Sequence, residues 1–141
     1  GHLWGKVLYN CALNPLSALL GVPYGALAEV GETKELISSI IEECFAVAQA
    51  QKVVLFWERP EDYLRVLFEE LIPPTAAHYA SMYADLQRGK PTEIDVLNGA
   101  IVRLGAAVGV PTPVNQIITL LVRASERLRA KAVLTAESPA A

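Results

Sequence analysis

The chain has 141 residues, of which 52% are hydrophobic and 19% charged, with a formal net charge of −3. That length and apolar content suit one domain with a real core and exclude a disordered chain. The mildly acidic balance gives no basic footprint for nucleic acid, no apolar run is long enough to span a bilayer, and no signal-peptide pattern is read.

Residues 1–20, GHLWGKVLYNCALNPLSALL, are apolar at nearly every position when wound as a helix. The polar exceptions past the first turn are Lys6, Asn10, Asn14 and Ser17. They recur at i, i+4, i+8 and i+11, which at about 100° per residue places them on one narrow seam. A surface helix carries a wide charged face; this one is expected to be buried, with its seam turned toward something polar. One ammonium beside two amides and a hydroxyl suits an oxygen-rich small molecule. The plainer alternative is that the seam is the solvent edge of a mostly buried helix. Pro15 removes a backbone donor and crowds the carbonyl of Cys11, so a kink or break is expected there. Gly21-Val22-Pro23-Tyr24-Gly25 then ends the helix and turns the chain.

A second helix is expected from Glu32 to about Lys52, with Leu36, Ile37, Ile40, Ile41, Cys44 and Phe45 inward and Glu42 and Glu43 among the residues covering the outside. Val53–Trp57 is either a short strand or a buried connector. Pro60 opens a third helix, Pro73-Pro74 stop it, and a fourth starts near Thr75. That one carries Tyr79, Met82, Tyr83 and Leu86 on one side and His78, Ser81 and Asp85 on another. His78 alone reads as an ordinary polar residue. Thr92-Glu93-Ile94-Asp95 has the pattern of a capping box, which puts Glu93 in a first turn where the helix dipole favours its charge. This fifth helix runs to about Gly109, and Gly105 and Gly109 allow a neighbour to approach closely. Val110-Pro111-Thr112-Pro113 is a stiff connector. The last helix turns Val114, Ile117, Ile118, Leu121, Ser125 and Leu128 inward and carries Arg123, Arg127 and Arg129 near its C-terminal end, where cations suit the dipole. From about Lys131 the periodicity is lost.

The expected architecture is therefore all-α, with about six helices over residues 1–130 and a frayed tail over 131–141. Cys11 and Cys44 lie in apolar helical stretches and read as buried free thiols, which suits a reducing, cytoplasmic setting. No Cys/His spacing suggests a metal site.

Three stretches also carry a family resemblance. Leu3-Trp4-x-Lys6-x-x-x-Asn10-x-x-x-Asn14-Pro15-Leu16-Ser17-Ala18 resembles the opening of the C-terminal domain of ketopantoate reductases (2-dehydropantoate 2-reductases). Ser81-Met82-x-x-Asp85-Leu86-x-x-Gly89-x-Pro91-Thr92-Glu93-Ile94-Asp95-x-Leu97-Asn98-Gly99 is similar to the second signature, and Gly109-Val110-Pro111-Thr112-Pro113-x-Asn115 to the connector that follows. The resemblance implies a helical domain of the 6-phosphogluconate-dehydrogenase C-terminal-like kind, paired with an N-terminal Rossmann domain across an active-site cleft. It implies NADPH-dependent reduction of ketopantoate to pantoate on the way to pantothenate and coenzyme A. It places the catalytic lysine on Lys6, substrate-binding residues on Asn10, Asn14 and Ser81, and a cleft glutamate that can face substrate or the cofactor's ribose on Glu93. A further family asparagine aligns near Tyr24, where this chain departs.

Chemistry agrees with these roles. An ammonium can stabilise the charge that develops on a reduced carbonyl oxygen and deliver its proton, and desolvation on an oily helix would ease that proton's release. Neutral amides grip hydroxyls by donating and accepting at once. No G-x-G-x-x-G follows a strand, so the dinucleotide is expected to be held mainly by a Rossmann domain missing from this chain. The isolated 141 residues are accordingly expected to be inactive. Two alternatives stay open. One is a non-catalytic helical module that dimerises or binds a partner through exposed apolar surface. The other is a reductase of a different 2-keto acid.

Overall fold

The computed structural model describes residues 2–137, and among these there is no strand. The helices are α1 (His2–Leu20), α2 (Tyr24–Leu27), α3 (Gly31–Ala50), α4 (Pro60–Val66), α5 (Ser81–Gln87), α6 (Asn98–Val108) and α7 (Pro113–Glu137). The all-α expectation is met; the additional helix is the single turn α2, which begins within the stretch taken for a plain turn.

The first helix is the axis of the fold. Every residue from Cys11 to Ala18 is buried, and α1 packs against α2, α3, α5 and α7. Leu8, Leu13 and Leu16 meet Ile37, Ile40 and Ile41 of α3 in one core with Tyr63, Leu86, Ile101 and Val122. Pro15 does not break the helix. Its missing N–H leaves the Cys11 carbonyl without an intrahelical donor, and Asn98 Nδ2 of α6 takes that carbonyl at 3.2 Å.

The same amide opens a buried polar chain. Asn98 Nδ2 also donates to Asn115 Oδ1 (3.0 Å), and Asn115 Nδ2 donates to Glu43 Oε1 (2.8 Å). The Glu43 carboxylate in turn accepts the backbone N–H groups of Val114 and Asn115 at 3.0 Å each. Glu43, expected as solvent cover on α3, is thus the cap that satisfies the orphan donors of α7. Gly105 lets α6 close on this region: a Cβ there would stand 2.7 Å from the Val110 carbonyl oxygen and 3.3 Å from Val47. Gly109 serves a different need, the left-handed turn (φ +72°) that ends α6.

Four local expectations are corrected. The helix expected near Thr75 begins at Ser81, and Pro73–Thr75 form one 3-10 turn instead. The carbonyls of Ala76 and His78 are taken by the N–H groups of Gly25 and Tyr24 at 2.9 Å, so this backbone serves α2 rather than a helix of its own. The Thr92–Asp95 capping box does not form: Asp95 pairs with Arg123, Ile94–Val96 make a 3-10 turn, and α6 starts at Asn98. Glu93 therefore precedes a 3-10 turn rather than sitting in the first turn of a helix. Val53–Trp57 is a connector but not a buried one, with Val54 and Phe56 exposed, and it is entered through Lys52 in the left-handed region (φ 59°). Finally, α7 continues past Lys131 to Glu137, so Arg123, Arg127 and Arg129 lie mid-helix, away from its C-terminal dipole. Residues 131–136 are exposed; residues 138–141 of the expected tail lie outside the described residues. Cys11 and Cys44 are free and fully buried, as expected.

Candidate active site

A polar cavity of about 280 Å³ opens where α1 meets α2 and α5, lined by Tyr9, Asn10, Asn14, Tyr24, Thr75, His78, Ser81 and Glu93. Four of the five residues singled out from the sequence (Asn10, Asn14, Ser81 and Glu93) meet here from three separate parts of the chain. Tyr9 and Thr75 carry no functional reading in the sequence, His78 only that of an ordinary polar residue and Tyr24 only the departure from a family asparagine; these four complete the wall.

Backbone and side-chain ties fix each contributor. The 2.9 Å bonds from Tyr24 N to His78 O and from Gly25 N to Ala76 O lay α2 along the 76–78 loop. A Cβ on Gly25 would stand 2.8 Å from Ala76 Cβ, so only glycine permits that approach. Ser17, the hydroxyl of the α1 seam, does not reach the cavity. It is fully buried, donates to Val22 O (2.7 Å) and accepts from Ala80 N (3.3 Å), which seats the start of α5 and hence Ser81. Glu93 sits in a segment held on both sides by α7. Thr92 N donates to Glu126 Oε1 at 2.9 Å, and Arg123 pairs with Asp95.

The two phenols in the wall have committed their protons. Tyr24 donates to Asn14 Oδ1 at 2.6 Å in a buried bond. The Thr75 hydroxyl donates to a carbonyl of its own turn, Leu71 O at 3.0 Å or Ile72 O at 3.2 Å. It therefore accepts from Tyr9 OH at 3.1 Å. The rings lock together, with Tyr9 edge-on to Tyr24 (centroids 5.9 Å apart) and Tyr24 against His78 (5.3 Å). Burial, with a smaller effect from Tyr9, pushes the Tyr24 phenol up to about 12, so it stays a neutral donor. Among the described residues, the side chains of Lys6, Asn10, Ser81 and Glu93 make no hydrogen bond or ion pair within the chain. Their polar atoms are left for a ligand.

Lys6 stands apart from this cavity. It is exposed, not desolvated as the sequence suggested, and lines a neighbouring apolar cavity of about 550 Å³ with Gly5, Tyr9, Phe56, Trp57, Tyr63, Val66 and Leu71. Tyr9 is the wall common to both. Lys6 precedes Asn10 by one turn of α1, about 6 Å along the axis, so the apolar cavity it lines adjoins the polar one. A larger groove of about 680 Å³ along Phe45 and Lys52–Glu58 contains none of the seam residues. Among the described residues no group of His, Cys, Asp or Glu could hold a metal ion, and no helix is long and apolar enough to cross a membrane.

Residues 1–126 match the family described as ketopantoate reductase PanE/ApbA C terminal. The chain belongs to that family. The 2-dehydropantoate 2-reductase of Aquifex aeolicus is 51% identical over 130 residues, covering 92% of this chain and 42% of that protein. The Vibrio cholerae enzyme of the same name is 36% identical with the same coverage. Of solved structures, the PanE/ApbA family ketopantoate reductase of Ralstonia eutropha JMP134 superposes with a TM-score of 0.81 at 40% identity, over 92% of this chain and 42% of that one. A D-mandelate dehydrogenase, in a ternary structure with NADH and anilino(oxo)acetate, gives a TM-score of 0.81 at 32% identity over 91% and 52%. The chain thus spans about two-fifths of the length of the curated relatives it matches. In this ketopantoate-reductase domain Asn10, Asn14, Ser81 and Glu93 share one cavity, and Tyr24 stands in the same wall.

Proposed function

We propose that this ketopantoate-reductase domain supplies the proton donor and substrate contacts for reduction of ketopantoate to pantoate. The single observation that carries the reading is the convergence of Asn10, Asn14, Ser81 and Glu93 on one cavity, one helical turn from a free lysine. Asn10, Asn14 and Ser81 would hold the carboxylate and hydroxyl oxygens of the 2-oxo acid. Glu93, a carboxylate without a protein partner at the cavity, fits a hydroxyl of the substrate or of a ribose. NADPH, when bound, supplies the hydride. As the carbonyl carbon is reduced, negative charge gathers on the keto oxygen; Lys6 stabilises it and gives up one proton, which completes the alcohol. Its exposure then lets solvent return that proton. No glycine-rich strand–turn–helix for the pyrophosphate exists among the described residues, so the dinucleotide would be held mainly by a Rossmann domain, and the 141 residues alone are inactive.

The test is turnover of ketopantoate with NADPH. The isolated chain should show none. The same chain joined to the part of the Aquifex aeolicus relative that it does not cover should show it. In that joined protein Lys6→Ala should lower kcat/KM by about 10²- to 10⁴-fold with the helical content unchanged. Turnover by the bare chain, or an unimpaired Lys6→Ala, rejects the assignment.

A second substrate reading, another 2-oxo acid, is supported by the likeness to D-mandelate dehydrogenase and by the apolar cavity that Lys6 borders. In that reading the joined protein reduces an aryl 2-oxo acid such as benzoylformate faster than ketopantoate.

A further inference from the structure

We propose that Tyr24 is a positioning residue: its buried hydroxyl holds Oδ1 of Asn14, so that the amide presents its Nδ2 hydrogens to the polar cavity and selects the acceptor-rich carboxylate-and-ketone end of a 2-oxo acid. The inference deepens the reductase reading and rests on it for the identity of the ligand.

An asparagine amide that is free to flip offers a ligand either a donor or an acceptor. Asn14 is not free. Tyr24 donates to its oxygen at 2.6 Å, the short end of the hydroxyl range. The phenol cannot swing away, because its ring is wedged between Tyr9 and His78 and its backbone N–H is tied to His78 O. Nor does it lose its proton near neutral pH, since burial raises its ionisation to about 12. The other end of the amide is open. Among the described residues Asn14 Nδ2 has no protein acceptor, and it is not one of the buried polar atoms left unsatisfied. It therefore reaches open space, and the open space beside Asn14 is the polar cavity. With both phenol protons spent on the protein, the hydrogens left to a ligand belong to Asn10, Asn14, His78 and Ser81, with Lys6 beyond them. Such a wall favours oxygen acceptors, and Glu93 is its one carboxylate counterweight.

The test uses nuclear magnetic resonance of the whole 141-residue chain, with ketopantoate as the probe. Without ligand, Tyr24→Phe should move the side-chain amide resonances of Asn14 and leave backbone amides outside the cavity in place; an unmoved Asn14 amide overturns the positioning role. On titration, Tyr24→Phe should weaken ketopantoate binding by about two- to tenfold, the size of one neutral hydrogen bond. In an Asn14→Ala background the same substitution should add nothing. An equal loss in both backgrounds means that Tyr24 acts directly on the ligand, and the proposal fails. If Tyr24→Phe moves the Asn14 amide but ketopantoate disturbs no resonance in any variant, the positioning stands and the choice of ligand falls; the reductase reading is decided separately by turnover of the joined protein.

Discussion

Tyr24 and Tyr63 are buried phenols whose ionisation is displaced upward, chiefly by loss of water around them. An unfolded tyrosine ionises near 10.0, whereas Tyr24 in the fold holds its proton to about 12. Between those values the unfolded chain has released a proton that the folded chain keeps, so stability falls as pH rises. The contribution is complete below about pH 10 and is lost through about pH 12. Urea midpoints followed across that window should decline, and decline less steeply in Tyr24→Phe. A second residue-scale expectation concerns the proton donor. His78 lines the polar cavity, whereas Lys6 lines the space next to it. His78→Asn in the joined reductase should keep most of the rate that Lys6→Ala removes; the opposite ranking would move the proton donation to His78. At this scale the sequence spoke clearly where a polar side chain interrupted an oily run, as at Asn10 and Asn14. It was silent at Tyr9, because an aromatic in an apolar stretch is indistinguishable from core until its hydroxyl finds a partner, and it marked Tyr24 only as a departure from a family asparagine, with no sign of the bond its hydroxyl makes. Ser17 misled for the converse reason, a hydroxyl on the seam that spends both its bonds on the backbone of neighbouring segments.

Among elements, the decisive contacts join segments far apart in the chain. Glu43 caps α7 across 71 and 72 residues. Periodicity along α3 could place it only on the less apolar side of that helix, since the donors it serves belong to another. Glu43→Ala should cost about 1–3 kcal/mol in chemical denaturation, because it strands two backbone donors and the Asn115 amide. Gly105→Ala should cost a similar ~1–3 kcal/mol by forcing α6 off the Val110 carbonyl. Arg123 gives a contrast. Its pair with Asp95 is exposed, so Arg123→Ala should leave stability within about 0.5 kcal/mol. Hydrogen exchange over residues 92–96 should nonetheless quicken, because that pair and Thr92–Glu126 are what hold Glu93 on α7. Helix boundaries were well placed where proline or glycine set them, at Leu20, Pro60 and Gly109. They were missed at Thr75 and Thr92, where another element had already claimed the backbone or the cap.

For the whole molecule, the order of helices and the central place of α1 were legible in the sequence, since a rod that is oily all round can only be an axis. What sequence could not supply is the division between two adjoining cavities, which depends on where Phe56 and Trp57 come to rest. Phe56 and Val54 are 86% exposed and Leu3 77%, all close in sequence to residues that border the Lys6 cavity. Apolar surface of this kind invites cover. Joining the chain to a nucleotide-binding domain should therefore reduce binding of a hydrophobic dye. Phe56→Ser should lower dye binding in the isolated chain and change it little in the joined protein. Equal dye binding in both forms would favour the stand-alone interaction module.

The amide that Asn98 lends to the Cys11 carbonyl makes two distant residues answerable to each other. Asn98→Ala alone leaves two buried oxygens bare, Asn115 Oδ1 and that of the Cys11 carbonyl. In a Pro15→Ala background the restored N–H of residue 15 can turn back to the carbonyl oxygen, so losing Asn98 should hurt less there than in the parent chain. A prosthesis matters most to the limb that lacks the bone, and a four-way stability comparison would show whether Asn98 is one.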